Sequence, residues 1–179
     1  MSKKVLVIST SLRKNSNSET LADAFLAGAK ASGNQVEKIS LRGKKIAFCQ
    51  GCLACQNTQK CVIEDDAVAI AAKMKEADVI TFATPIYYYE MSGQMKTMLD
   101  RANPLFSSNY AFRDIYMLTT AAEDGNEVPE KAINGLQGWI DCFEKAHLAG
   151  SVFAGGVTDG GSIKGHHTLQ QAYDLGKAI

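Results

Sequence analysis

Residues 5–30 constrain this chain more than any other stretch. Val5-Leu-Val-Ile-Ser9 reads as a buried strand, and Ser11-Leu-Arg-Lys-Asn-Ser-Asn-Ser18 follows it as a loop. Leu21, Ala22, Phe25, Leu26 and Ala29 then mark one face of a helix. A strand that ends in a hydroxyl-rich loop and feeds a helix N-terminus makes a good anion site. The first-turn amides lack intrahelical partners, and the helix dipole adds to their pull. Serine and asparagine supply neutral donors, and an arginine grips phosphate in bidentate fashion. The loop has neither the lysine-ended Walker pattern nor the spaced glycines of a dinucleotide site. It therefore points to a mononucleotide phosphate that is held rather than transferred. The same residues also serve as plain helix caps; their place after the first strand of an alternating chain favours the ligand.

That alternation sets the fold class. Val36, Ile39 and Leu41 mark a second strand after a Gly33-Asn34 turn, and residues 43–64 form a long cysteine-bearing connection. Ala67, Ile70, Ala71 and Met74 have helical spacing, with Asp65 and Asp66 at the positive end of that helix. Asp78–Thr84 reads as a third strand ended by Pro85, and Met95, Met98, Leu99 and Ala102 as the next helix face. Ile115–Thr119 is a fourth strand. Pro129 opens a helix expected to run to about His147, with Ile133, Leu136, Ile140 and Phe143 inward. Ser151–Ala154 is a fifth strand, and residues 167–179 a last helix. The expected fold is α/β: a flavodoxin-like, doubly wound, five-stranded parallel sheet in a three-layer α/β/α sandwich. The 179 residues suit one domain, 1–179.

Charge narrows the partners. With 19 basic and 19 acidic residues the formal net charge is zero, which argues against a nucleic-acid surface and against a polybasic membrane patch. The apolar run after Lys4 stops at Ser9, too short for a signal-peptide core or a membrane span. The expected location is cytoplasmic. Five cysteines are then reduced, so metal binding or redox chemistry gains weight over disulfides.

Ligands of such a sheet bind at the carboxyl ends of the strands, where the strand order reverses between the first and third. The loop there is Thr84-Pro-Ile-Tyr-Tyr-Tyr-Glu-Met-Ser-Gly93. Three adjacent tyrosines suit the face of a planar aromatic ligand, although covering the core or a subunit contact is the plainer role. The loop from Thr119 to Asp124 offers small residues and backbone amides for a further wall. Phosphate, flat ring and apolar walls together suggest flavin mononucleotide (FMN). Tyr87, Tyr88, Tyr89, Met91 and Met95 crowd one end of the sheet, a patch expected to be covered by a second subunit.

Four cysteines, Cys49, Cys52, Cys55 and Cys61, fall within thirteen residues beside Gly51. Short-spaced cysteine runs are the usual source of iron–sulfur ligands. Zinc is a second use of such a run, and packing with no metal at all is a third. Cys142 falls in a helical pattern and reads as core. No carboxylate pair or Ser-His-Asp arrangement stands out among the three histidines and the acidic residues.

Several segments carry a family resemblance. Ser11-Leu-Arg13 with Ser16-Asn17-Ser18, the cysteine run ending in Cys61–Asp66, Pro85-Ile-Tyr87, and Gly93–Lys96 with Asp100-Arg101 resemble the NADPH-dependent FMN reductase family. The resemblance covers about the first two-thirds of the chain, with Leu12 standing where the family usually has proline. It implies that Ser11, Arg13, Ser16, Asn17 and Ser18 hold the FMN phosphate. Pro85, Ile86, Tyr87 and Tyr88 would line the isoalloxazine, with Thr120 and Ala121 opposite. For Lys96, Asp100 and Arg101 it leaves helix packing or a dimer contact. The cysteine spacing is similar to that of the iron–sulfur flavoproteins, which implies a [4Fe–4S] cluster on Cys49, Cys52, Cys55 and Cys61.

The expected activity is an FMN-dependent oxidoreductase with NAD(P)H as co-substrate and no catalytic side chain, since the flavin carries the chemistry. Electrons would pass to a flavin, quinone or other small acceptor, or to a ferredoxin-like partner if the cysteines hold a cluster. The expected assembly is a homodimer or homotetramer. One rival is a flavodoxin-like electron carrier, though such carriers are usually acidic. The other is a metal-stabilised binding module, which leaves the tyrosines unexplained.

Overall fold

A computed structural model describes residues 2–179. Strands and helices alternate as β1 (Lys4–Ser9), α1 (Asn17–Ala31), β2 (Gln35–Ser40), α2 (Ala54–Thr58), α3 (Asp66–Glu76) and β3 (Val79–Tyr87). They continue as β4 (Glu90–Met91), α4 (Gly93–Arg101), β5 (Asp114–Thr120), α5 (Glu130–Ile140), β6 (His147–Ala154) and α6 (Thr168–Lys177). The main path of the sheet runs β2-β1-β3-β5-β6, with all its neighbours parallel. This is the flavodoxin-like strand order, and the chain reverses direction across the sheet between β1 and β3. Among the described residues no helix is long and apolar enough to cross a membrane.

Both faces of the sheet are covered, so the strands read as continuous apolar runs. Leu6, Ile8, Ile80, Phe82, Ile115 and Met117 point toward α3, α4 and α5. The alternate residues Val5, Val7, Val79, Leu118 and Val152 pack with Leu21, Phe25 and Ala172 on the α1 and α6 side. α1 and α6 cross at backbone distance. A Cβ on Gly28 would lie 1.9 Å from the Tyr173 carbonyl oxygen, and one on Gly176 would lie 2.1 Å from that of Phe25.

Four expectations need correction. β3 does not stop at Pro85 but continues to Tyr87, folds back through Tyr88-Tyr89, and pairs antiparallel with β4. Proline is tolerated because β1 ends earlier, at the Ser9–Ala83 pair, so on that side no strand remains for a proline N–H to serve. Met91 and Met95 are buried, drawn inward by the β4 pairing and the apolar face of α4; the exposed patch shrinks to the tyrosines.

The helix after Pro129 ends at Ile140, and His147 opens β6, paired with Asp114. Phe143 keeps its inward position through a tighter turn, its amide bonding the Ile140 carbonyl at 2.8 Å. Cys142, expected in the core, is exposed in that turn because Ile140 and Phe143 take the inward positions.

Candidate functional site

Four loops meet at the carboxyl ends of β1, β3, β5 and β6. The first is the candidate anion loop, residues 11–18. Ser16 caps α1, its Oγ accepting from the Glu19 amide at 3.4 Å while its carbonyl accepts from Thr20 at 3.1 Å. That leaves the Asn17 and Ser18 amides at the helix start for an outside acceptor. The Ser16 and Ser18 hydroxyls lie 3.0 Å apart, and both residues are buried, as is Ser11. Arg13 is exposed and reaches across to the loop after β6, donating from Nη1 to the Thr158 carbonyl at 2.9 Å. Arg42 steadies the same loop from outside by donating to the Arg13 carbonyl at 3.1 Å.

Asn17 does something the sequence did not suggest. Its Nδ2 donates to the Asp159 carbonyl at 2.9 Å and to Ser162 Oγ at 3.2 Å. Its Oδ1 accepts from the Gly161 amide at 3.0 Å and the Ile163 amide at 3.3 Å. Two donors and two acceptor positions exhaust an asparagine amide. The side chain thus braces the glycine-rich segment 155–165 against the anion loop. The one sequence signal of that segment is composition: five glycines from Gly155 to Gly165.

The second loop is the hairpin of β3 and β4. Its two turn residues, Tyr88 and Tyr89, have φ of 52° and 64°. Two-residue hairpin turns with both φ positive favour Asn-Gly, and side chains such as tyrosine pay about 1–2 kcal/mol each there. Tyr88 projects fully into solvent at 99% exposure. Tyr89 instead donates its hydroxyl to Glu123 Oε2 at 2.8 Å, which raises the phenol's pKa, and Lys131 lies over its ring. This contact ties the hairpin to the third loop, 121–128. Between them lies a cleft of about 190 Å³ lined by Ile86, Tyr88, Tyr89, Ala121, Glu123 and Val128. Ala121, which lines it, and the preceding Thr120 are buried.

A buried hydroxyl network underlies this crevice. Thr10 Oγ1 and Ser92 Oγ are 3.0 Å apart, Thr84 Oγ1 donates to Ser92 Oγ at 3.2 Å, and the Ser92 amide donates to Thr84 Oγ1 at 3.0 Å. Ser92 also caps α4 by accepting from the Met95 amide. The three residues lock the end of β1, the end of β3 and the start of α4 together. Only the cap was foreshadowed locally, as a serine just before an apolar helical pattern.

The cysteine connection forms a separate pocket. Cys49, Cys52, Cys55 and Cys61 line one narrow pocket with Arg101 and Asn103. Among the described residues no three histidine, cysteine or acidic side chains gather around a single ion position; the sulfurs surround the cavity instead. Gly51, Leu53 and Gln59 all have positive φ, so the chain winds tightly between the first cysteine and the last. For Leu53 and Gln59 that conformation is strained, a pattern concentrated at functional sites. A groove of about 370 Å³ is lined by Leu12 of the first loop, Ile46 and Phe48 of the cysteine connection, and Gln94.

Arg101 anchors this connection. Its side chain is fully buried. It bonds Asp65 through both Nη atoms, and it donates to the Ala47 carbonyl at 2.8 Å and the Ile63 carbonyl at 3.0 Å. Burial works against both charges. The pairing overcomes it, raising the arginine's pKa and holding the Asp65 carboxyl below its ordinary value. Lys96 and Asp100 form an exposed pair one turn apart on α4.

Residues 3–176 match the family model described as NADPH-dependent FMN reductase. An iron–sulfur flavoprotein of Methanosarcina thermophila is 30% identical over 87% of this chain and 82% of its own length. Another, from Archaeoglobus fulgidus, is 38% identical over 56% of this chain and 46% of its own. The NAD(P)H:quinone oxidoreductase of Methanothermobacter marburgensis superposes with a TM-score of 0.76 over 99% of this chain and 96% of that one, at 17% identity, a likeness of fold. The match covers almost the whole chain, and the strand order agrees with it: the chain belongs to the NADPH-dependent FMN reductase family.

Proposed function

We propose that the chain is an FMN-dependent oxidoreductase that accepts hydride from NADH or NADPH and delivers electrons to a flavin, quinone or other small acceptor. The open amides of Asn17 and Ser18, at the end of β1 among buried serine hydroxyls, carry this reading. They fit a phosphate monoester: neutral donors gather at the positive end of a 15-residue helix. Ser11, Ser16 and Ser18 add hydroxyl donors, Arg13 adds charge at the rim, and Asn17 contributes its backbone amide while its side chain holds segment 155–165. Pro85, Ile86, Tyr87 and Tyr88 form one wall for the ring, with Thr120 and Ala121 facing them.

Bound FMN supplies the hydride and electron transfer. The protein's part is to hold the ring at the mouth of the sheet, keep one face open beside Tyr88 for a nicotinamide, and keep that geometry rigid through the Thr10–Ser92–Thr84 network. The exposed Tyr87, Tyr88, Leu12 and Phe48 suit burial in a homodimer or homotetramer, working in the cytoplasm. Anaerobic mixing of FMN-loaded protein with NADH or NADPH tests the activity by bleaching of the flavin absorbance. Bleaching by dithionite but by neither nucleotide transfers the assignment to an electron carrier.

The cysteine cavity favours a second reading, in which Cys49, Cys52, Cys55 and Cys61 hold a [4Fe–4S] cluster. Four thiols lining one pocket, with the N–H groups of Arg101 and Asn103 beside them, fit the donor set of such a group. It would supply one-electron transfer, and the partner then becomes a ferredoxin-like protein. Iron and acid-labile sulfide, measured on protein purified without oxygen, decide the matter: about four irons per chain, lost in Cys55→Ala, against none in either.

A further inference from the structure

Two side-chain N–H groups at the end of α4 remain unexplained by the holding of flavin. Asn103, in the single turn of 3-10 helix Asn103–Leu105, donates from Nδ2 to Cys55 Sγ at 3.1 Å. Cys55 is the buried member of the four cysteines. Two residues earlier, Arg101 has both Nη atoms committed to Asp65, Ala47 and Ile63. Its Nε is buried with no partner, and the side chain lines the same cavity as Cys61. A weaker backbone contact, Gly51 amide to Cys49 Sγ at 3.5 Å, points the same way.

An orphaned guanidinium N–H in a protein interior is costly, and here it borders a pocket that the four cysteines line together with Gln50, Asp100 and Asn103. N–H donation to a ligating thiolate draws negative charge off the sulfur. It therefore favours the more negative, reduced form of an iron–sulfur centre and raises its potential. Burial of the Arg101 side chain strengthens its effect, because water cannot compete for the N–H.

We infer that Asn103 and Arg101 are positioning residues that form an N–H donor shell around the cysteine cavity, Asn103 serving Cys55 and Arg101 serving Cys61. Together they set the reduction potential of a cluster held there. This rests on the iron–sulfur reading above, and the experiment separates the two. Wild type and Asn103→Leu are purified without oxygen, and iron, sulfide, melting temperature and midpoint potential are measured on each. Leucine keeps the volume and removes the N–H.

The expected result is equal iron in both proteins. The one-electron equilibrium of Asn103→Leu should move toward the oxidised form by about tenfold, or about 59 mV lower. Arg101→Lys, which keeps the positive charge but loses Nε–H, should move the same way. Equal iron with an unchanged potential in Asn103→Leu overturns the inference, whether or not the arginine variant folds. Loss of iron from Asn103→Leu at unchanged melting temperature supports its positioning of Cys55. Absence of iron from anoxic wild type, even after supply of ferrous iron and sulfide, removes the cluster reading and the inference with it.

Discussion

The Arg101 guanidinium grips the Asp65 carboxylate at both oxygens, Nη1 to Oδ2 at 2.6 Å and Nη2 to Oδ1 at 2.9 Å, at the boundary between the cysteine connection and α3. Asp65 is at the same time the N-cap of α3, accepting from the Ala67 amide, and it accepts from the Ala47 amide as well. One carboxylate thus joins α3, α4 and the cysteine connection. Asp65→Asn should destabilise the protein by about 3–5 kcal/mol in urea unfolding, because it strands a buried charge.

That pair also predicts an acid response. Asp65 has a folded pKa below its ordinary value. Between the two values the unfolded chain binds a proton that the folded chain does not, so stability rises with pH across that window. The contribution is complete above the ordinary carboxylate value near 3.8 and is lost as pH falls through the folded pKa. The stability gap between wild type and Asp65→Asn should therefore narrow only in strong acid, as followed by denaturant midpoints at stepped pH.

Removing Arg13 and Ser16 together tests the anion loop. A charge-assisted hydrogen bond is worth about 1.5–3 kcal/mol. Arg13→Ala with Ser16→Ala should therefore weaken FMN by at least tenfold in a fluorescence titration. Unchanged affinity would move the phosphate elsewhere.

Strain in the hairpin turn is separable from its function. Tyr88 makes no packing contact that its exposure would allow to matter, yet it holds a positive φ. Tyr88→Asn should raise stability by about 0.5–1 kcal/mol, since asparagine tolerates this conformation. The same change should slow flavin reduction by NADH or NADPH in stopped flow. A gain in stability with no change in rate would leave Tyr88 outside the nicotinamide site.

The α1–α6 crossing sets a limit of its own. Gly176→Ala places a methyl group where the Phe25 carbonyl oxygen now lies. The helices must separate, and a loss of about 1–3 kcal/mol is expected from overpacking, read as a lowered thermal midpoint.

The order of strands and helices was legible in the chain because it rests on local chemistry. Period-two and period-3.6 apolar patterns, caps at Ser16 and Asp65, and the Gly33 turn each act within a few residues. The parallel sheet, its reversal point and the anion loop followed from that order. What joined the loops into a site did not follow, because each tie spans a distance that periodicity cannot carry. Asn17 reaches a loop more than 140 residues away, Thr10 meets Ser92 across 82, and Arg101 meets Asp65 across 36. The helix predicted to reach His147 failed for the same reason: the β6 pairing with Asp114 claimed residues that local spacing assigned to α5. Local pattern therefore chose the elements, while the burial of polar side chains, which had to find partners wherever the packed sheet brought them, chose the contacts.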